Sequence, residues 1–370
     1  MKTHVSYSAH LTGVFTVPRD YSLLGQNANY AVETGLATAD WYHTEIARKD
    51  MKSFMQRSDQ PALRDTFILF TSMITLAIIA IIHMPSLWSI PFWLAYGVLY
   101  GSAMDSRWHE CGHGTAFKTR KYNDYIYEIA SFCMIRNPIE WRWSHARHHT
   151  DTVIVGRDPE IAIMRPVRFV LIFLSFLGVR DVLVGIRKMF GYAAGHMDPE
   201  VATFVPPQEQ SKAFLSARIW VTIYVSTILV AITLGSWVPI LLVGTPRLYG
   251  AWHHIMTGLL QHGGLADNVI DHRLNSRTVY MNAINRFIYW NMNYHVEHHM
   301  FPMVPYHQLP KLHEAIKNDL PVPNSSIIDA YKEVILALWK QHKDADYFVH
   351  RALPQSARPY RIDLHEKALG

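Results

Sequence analysis

The longest uncharged stretch of the chain runs from Thr66 to Met104, 39 residues without an Asp, Glu, Lys or Arg. An apolar helix needs about 20 residues to cross a hydrocarbon layer of roughly 30 Å, so this stretch holds two spans. They meet at His83-Met84-Pro85-Ser86, where the proline stops the helix and Trp88 suits the interface, which predicts a tight hairpin with spans near 66–83 and 88–105. A second apolar region, Ile219 to Ala266, contains one charge, Arg247, and is punctuated by Gly235-Ser236-Trp237-Val238-Pro239, predicting spans near 216–235 and 238–260. Phe169 to Val179 is apolar over only 11 residues and is followed by Arg180, Asp181, Arg187 and Lys188. It is too short to cross and reads as an interfacial helix.

The pattern predicts an all-α integral membrane protein, with four transmembrane helices in two hairpins and a helical cytosolic cap built from residues 1–60, 106–214 and 261–370 as parts of one domain, 1–370. The hairpin tips carry no Lys or Arg, whereas Arg107 to Lys212 carries 14, so the positive-inside rule places that segment and both termini in the cytoplasm. No apolar core with a cleavage site begins at Met1, so no removable signal peptide is expected. Composition agrees: apolar residues are 49% and charged residues 18%, short of the roughly 25% charge of a soluble domain. The net charge of +5 is spread without a basic run interleaved with aromatics, which points to a membrane face and away from nucleic acid. Two cysteines, Cys111 and Cys133, are too few for a disulfide framework or an iron–sulfur cluster.

The 22 histidines are the anomaly. Three clusters stand out: His109-Glu110-Cys111-Gly112-His113, His145-Ala146-Arg147-His148-His149 and His295-Val296-Glu297-His298-His299. On a helix, positions i, i+3 and i+4 share a face, so each cluster can aim its imidazoles at one point. Eight imidazoles exceed the four to six ligands of one ion and imply two ions. Because each hairpin returns to its starting side, all three clusters end on the same side of the membrane. His262, just past the fourth predicted span, lies at that depth and is a candidate ninth ligand. Asp151 and Glu297, ahead of Glu110, Asp158, Glu160 and Asp267, are expected to accept hydrogen bonds from the distal ring N–H groups of ligating histidines. Trp141 and Trp143 are read as interface anchors or walls of a substrate mouth, and Arg142 and Arg147 as partners for an anionic head group. His83, His196, His253, His254, His272 and His307 are read as ordinary core or interfacial residues.

At HECGH, HARHH and NYHVEHHMFP, in that order and with a hairpin before the first and another before the last, the chain resembles the membrane fatty acid desaturase and hydroxylase superfamily from about Thr66 to Leu312. The resemblance implies a diiron centre held by His109, His113, His145, His148, His149, His295, His298 and His299, and it raises the expectation for His262. It implies that two external electrons reduce the iron pair, and that dioxygen is then used to take hydrogen from a methylene of a fatty acyl or alkyl chain. Loss of a second hydrogen gives an alkene and return of a hydroxyl gives an alcohol; the superfamily also includes oxidative decarboxylation of fatty acids to terminal alkenes. The third box opens with His295 where front-end desaturases carry glutamine, and no His-Pro-Gly-Gly signature is present, which sets the chain apart from that subgroup. With neither a dinucleotide-binding glycine fingerprint nor a cysteine cluster, a separate donor is expected, of ferredoxin, rubredoxin or cytochrome b5 type with a reductase. Two rivals come from other classes. His109-Glu110-x-x-His113 is literally the HExxH of an intramembrane zinc protease, which would leave six box histidines unexplained. A metal transporter would place its ligands within the membrane rather than at the span ends.

Overall fold

The computed structural model describes residues 19–362. The outermost parts of the expected cap, both termini and the reading of the chain start at Met1 lie outside them. Among the described residues the fold is all-helical, with only two isolated β-bridges, Thr278 to Tyr294 and Val279 to Asn324.

Two helices, Asp59–Ile82 and Pro207–Leu234, are long and apolar enough to cross a membrane on their own, and they contain the first and third predicted spans. Their outer faces carry exposed Phe67, Ile74, Ile78 and Ile82 on one, and Ile219, Leu229, Ile232 and Leu234 on the other. Apolar area of that extent on two long helices is what lipid covers. The predicted return legs are built differently. The first is a helix over Ile90–Val98, a π-helical turn at Leu99–Ala103 and a further helix, Met104–Gly112. The second is a short Val238–Leu242 helix, a break at Gly244, and Pro246–His262, which starts on its proline. A proline is tolerated at a first turn because its missing N–H has no partner there.

The return legs pack on each other through glycine. A Cβ on Gly250 would sit 1.9 Å from the Gly97 carbonyl oxygen, so the two backbones touch and no side chain fits between them. Arg247, the lone charge of the second apolar region, is buried; it donates to the Gly101 carbonyl at 3.1 Å and lies 3.5 Å from Asp181. Both legs therefore run side by side and end together, the first on His109 and His113, the second on His262.

The short apolar segment forms Phe169–Phe176, which turns by 78° into the amphipathic Val179–Ala193 helix. Counted as one broken span, the pair would be a third crossing element. The turn uses Gly178 at φ 69°, whose Cβ would stand 2.5 Å from the Arg247 carbonyl oxygen. Glycine is thus required both for its left-handed conformation and for the close approach to the second return leg.

Candidate metal centre

Box one lies on the end of the first return leg, and box two on the Pro138–Thr150 helix, which Asn137 caps by accepting from the Ile139 and Glu140 N–H groups. Box three forms its own short helix, His295–Met300. The structure gathers all eight box histidines and His262 into two groups. His109, His113, His145, His149 and His298 form one; His148, His262, His295 and His299 form the other; within each group the candidate ligand atoms lie within 4.8 Å of one another. The division explains the spacing of the boxes. In box two the i, i+4 pair serves the first group and His148 crosses to the second; in box three the i, i+4 pair serves the second group and His298 crosses to the first.

The Nε2 atoms almost touch: His109 to His298 at 2.8 Å, His113 to His145 at 3.0 Å, His149 to His298 at 3.2 Å, His295 to His299 at 3.0 Å and His262 to His295 at 3.0 Å. Around an ion with metal–nitrogen bonds of about 2.1 Å, adjacent octahedral ligands stand about 3.0 Å apart, so the spacing fits a shared ion in each group. Burial, followed by the neighbouring rings, presses His109, His113, His149, His295, His298 and His299 well below the ordinary imidazole range, and brings His262 down to about 3. Burial thus favours the neutral ring, which is the ligating form.

Two carboxylates set the orientation of box two. Asp158 Oδ2 lies 2.9 Å from His148 Nδ1, and Glu160 Oε2 lies 3.1 Å from His145 Nδ1. Between them they hold one ring of each group, His148 by Asp158 and His145 by Glu160, with Nε2 facing inward. Burial opposes charge on both His148 and Glu160, yet Asp158 lifts His148 to about 9, and His145 with His148 holds Glu160 down at about 2. His262 Nδ1 is turned toward the Asn275 carbonyl at 2.7 Å and His299 Nδ1 toward Thr152 Oγ1 at 3.2 Å.

The favoured carboxylates of the sequence reading do neither job. Asp151 faces Arg157 at 3.0 Å and Arg147 at 3.6 Å, because it ends the box-two helix and turns back along it. Glu297 accepts from Thr278 Oγ1 at 2.5 Å and pairs with His313, since a position two residues along a helix from His295 points away from the histidine face. Glu110 accepts from Thr115 Oγ1 at 3.0 Å and from the Tyr306 N–H at 3.2 Å, with burial raising it to about 7. It stands behind the His298 ring, 3.9 Å from Nδ1 and away from the ligand atoms. Asp267 is engaged by Arg19 and Arg165.

A cavity of about 760 Å³ reaches His109, His145, His148 and His295, within the roughly 300–1,000 Å³ of small-molecule sites. Trp141 lines it and Trp143 is exposed. Arg142 instead pairs with Asp124 at 3.5 Å and Arg147 binds Thr203 and Asp151; the cations that do line the cavity include Arg168, Arg180 and Lys188.

Residues 84–330, which contain all nine histidines, match the family described as fatty acid desaturase. The chain belongs to the fatty acid desaturase family. Within that family of oxidoreductases it is similar to a chloroplastic sn-2 acyl-lipid omega-3 desaturase (ferredoxin) of Arabidopsis thaliana, 24% identical over 245 residues, covering 61% of this chain and 54% of that protein. It is also similar to the fatty acid conjugase FAC2 B of Calendula officinalis, 25% identical over 333 residues, covering 78% of this chain and 85% of that one. An acyl-lipid (9+3)-(E)-desaturase of Dimorphotheca sinuata matches at 32% over 87 residues, 23% of each chain. The matched stretch thus spans about half the length of the chloroplastic desaturase and most of the conjugase.

For His262, which joins box three in the second group, His262→Ala is expected to lower bound metal or activity by at least roughly tenfold, as ligand-shell changes do. Metal analysis of the purified variant beside wild type measures it; near-normal values in both would remove His262 from the centre.

Proposed function

We propose that the protein is a membrane desaturase that holds two iron ions among its nine clustered histidines and removes two hydrogens from adjacent methylenes of a fatty acyl chain. The observation that carries this reading is the division of the imidazoles into a group of five and a group of four. Imidazole suits iron, copper, nickel and zinc alike, and the desaturase family favours iron. An iron pair bound there would supply the reduction of dioxygen and the oxidising power to break a C–H bond. Dioxygen takes four electrons in all, two from the acyl chain and two from an external donor, and with two protons leaves an alkene and two waters. Asp158 and Glu160 hold the box-two rings His148 and His145 with Nε2 toward the centre.

In this reading all four apolar legs cross the membrane, with the boxes on the cytosolic side. The alkyl chain lies along the apolar part of the cavity, by Met134, Leu171 and Leu259, with an anionic head toward Arg168 and Arg180. An apolar slot grips a chain at about 0.8 kcal/mol per buried methylene but barely distinguishes one carbon from the next, so the head and the closed end set the position of attack. Relatives named as desaturases and a conjugase favour alkene formation over hydroxylation, and the word ferredoxin in one of those names supports an iron–sulfur donor. The protease reading loses its base, because Glu110 is turned from the ligand atoms toward Thr115 and Tyr306.

The test combines metal analysis of the purified protein with mass spectrometry of lipids from cells with and without the gene. About two irons per chain and a new double bond are expected. Wild-type activity in a preparation shown to lack iron, or oxidation of a compact polar molecule with no effect on acyl chains, would sink the proposal.

A further inference from the structure

Trp41 lies in an irregular stretch between helices, half-buried at the protein surface. Its indole is stacked on the imidazole of His272, with ring centroids 4.3 Å apart and planes within 9°. His272 is buried, its Nδ1 has no hydrogen-bond partner among the described residues, and its ring centroid is 5.0 Å from that of His299 in the four-histidine group. Neither Trp41 nor His272 belongs to a ligand group. The indole Nε1–H also donates to the carbonyl of Thr150 at 3.0 Å, and Thr150 directly follows His149 of the five-histidine group. One surface aromatic thus stands one residue removed from each group, through the His272 ring to His299 and through the Thr150 carbonyl to the residue after His149.

We propose that an electron-donor protein docks over Trp41 and that electrons pass inward through the Trp41 and His272 rings to the metal centre. The inference rests on the redox function proposed above and adds where its electrons come in. Tunnelling falls steeply with distance, so a carrier must bring its redox group close to the centre; here two stacked rings span the shell between surface and ligand. The proposed reaction draws two electrons from an external donor, and the two cysteines, both free and buried, offer no exposed thiol for that exchange. Beside Thr150, the guanidinium groups of Arg147 and Arg157, each about a fifth exposed, share the one carboxylate of Asp151, which leaves one net positive charge on that side of the rim, while the exposed Asp40 precedes Trp41 in the chain. That rim fits a small one-electron carrier whose redox group is ringed by acidic residues. Each docking delivers one electron, so two reduced carriers are oxidised per turnover.

The experiment uses the full-length protein loaded with iron in lipid nanodiscs, reduced either by a plant-type [2Fe–2S] ferredoxin or by dithionite, with iron reduction followed by stopped flow. Trp41→Leu is expected to slow reduction by ferredoxin at least about tenfold while leaving iron content and reduction by dithionite as in wild type, with Trp41→Phe keeping most of the rate. Arg157→Glu is expected to raise the ferredoxin concentration needed for half-maximal rate about tenfold and to flatten the salt dependence, as loss of a rim charge does. Wild-type ferredoxin kinetics in both Trp41→Leu and Arg157→Glu would overturn the proposal. So would loss of iron from Trp41→Leu, which would make the stack structural, or a wild-type protein reduced by dithionite but not by ferredoxin. A wild-type protein that binds no iron would instead overturn the desaturase reading itself.

Discussion

His298→Ala is expected to abolish turnover, with a loss of at least about a hundredfold, at the upper end of what changes in a ligand shell cause. The ring sits at the middle of the five-histidine group, its Nε2 2.8 Å from that of His109 and 3.2 Å from that of His149. It is fully buried, and alanine leaves its group of five candidate ligands one short. The variant should still insert, because insertion depends on the long apolar helices Asp59–Ile82 and Pro207–Leu234, neither of which carries a box. Iron content, membrane recovery and product formation measured on one preparation separate loss of the centre from loss of the fold. A variant that keeps more than about a tenth of both iron and activity would show that His298 is dispensable.

What could be read from the sequence was whatever depends on neighbours within one helical turn. The i, i+3, i+4 spacing of boxes two and three is local and puts their rings on one face, but each box divides its rings between the two groups instead of aiming them at one point, because the groups form only where the three boxes meet. The placement of His262 beside the boxes was legible for a related reason: it ends an apolar helix at the depth where the first return leg delivers box one. The first and third apolar legs are also local features and are present as long helices. The others were misjudged in detail, because a π turn at Leu99–Ala103 and a break at Gly244 answer to packing between the legs, where Gly97 meets Gly250, and composition does not record that contact.

The carboxylates show the limit most clearly. Asp151 is two residues from His149 and Glu297 lies inside box three, yet both face elsewhere, while Asp158 and Glu160 reach the rings from a loop. Proximity in sequence failed because direction is set by where the chain turns after the helix: Val153 at φ 56° and Gly156 at φ 79° fold the segment back so that Asp158 and Glu160, two residues apart, meet His148 and His145. Trp41 and His272 carried no signal at all, since more than two hundred residues separate them and only the tertiary fold stacks one on the other.

That geometry makes Asp158 the position outside the ligands where substitution should cost most. Its Oδ2 faces His148 Nδ1 at 2.9 Å and accepts from the Val153 N–H at 2.7 Å, and its Oδ1 accepts from the Glu160 N–H at 2.8 Å. The side chain therefore fixes the orientation of His148 and also holds the loop that brings Glu160 to His145, so one residue supports a ring in each histidine group. Asp158→Ala is expected to lower iron affinity between about ten- and a hundredfold, the range for partners that orient a ligating histidine. Asp158→Asn keeps an oxygen for the His148 N–H but loses the charge, and places an amide N–H where one of the backbone donors now points, so its loss should be smaller than that of alanine. Asp151→Asn is the control: Asp151 is as buried and nearer to box two in sequence, but its partners are Arg147 and Arg157, so iron affinity should stay near wild type. Iron competition against a chelator ranks the three variants. Equal losses at Asp151 and Asp158 would mean that burial of a nearby carboxylate, rather than its hydrogen bond to His148, is what the centre needs.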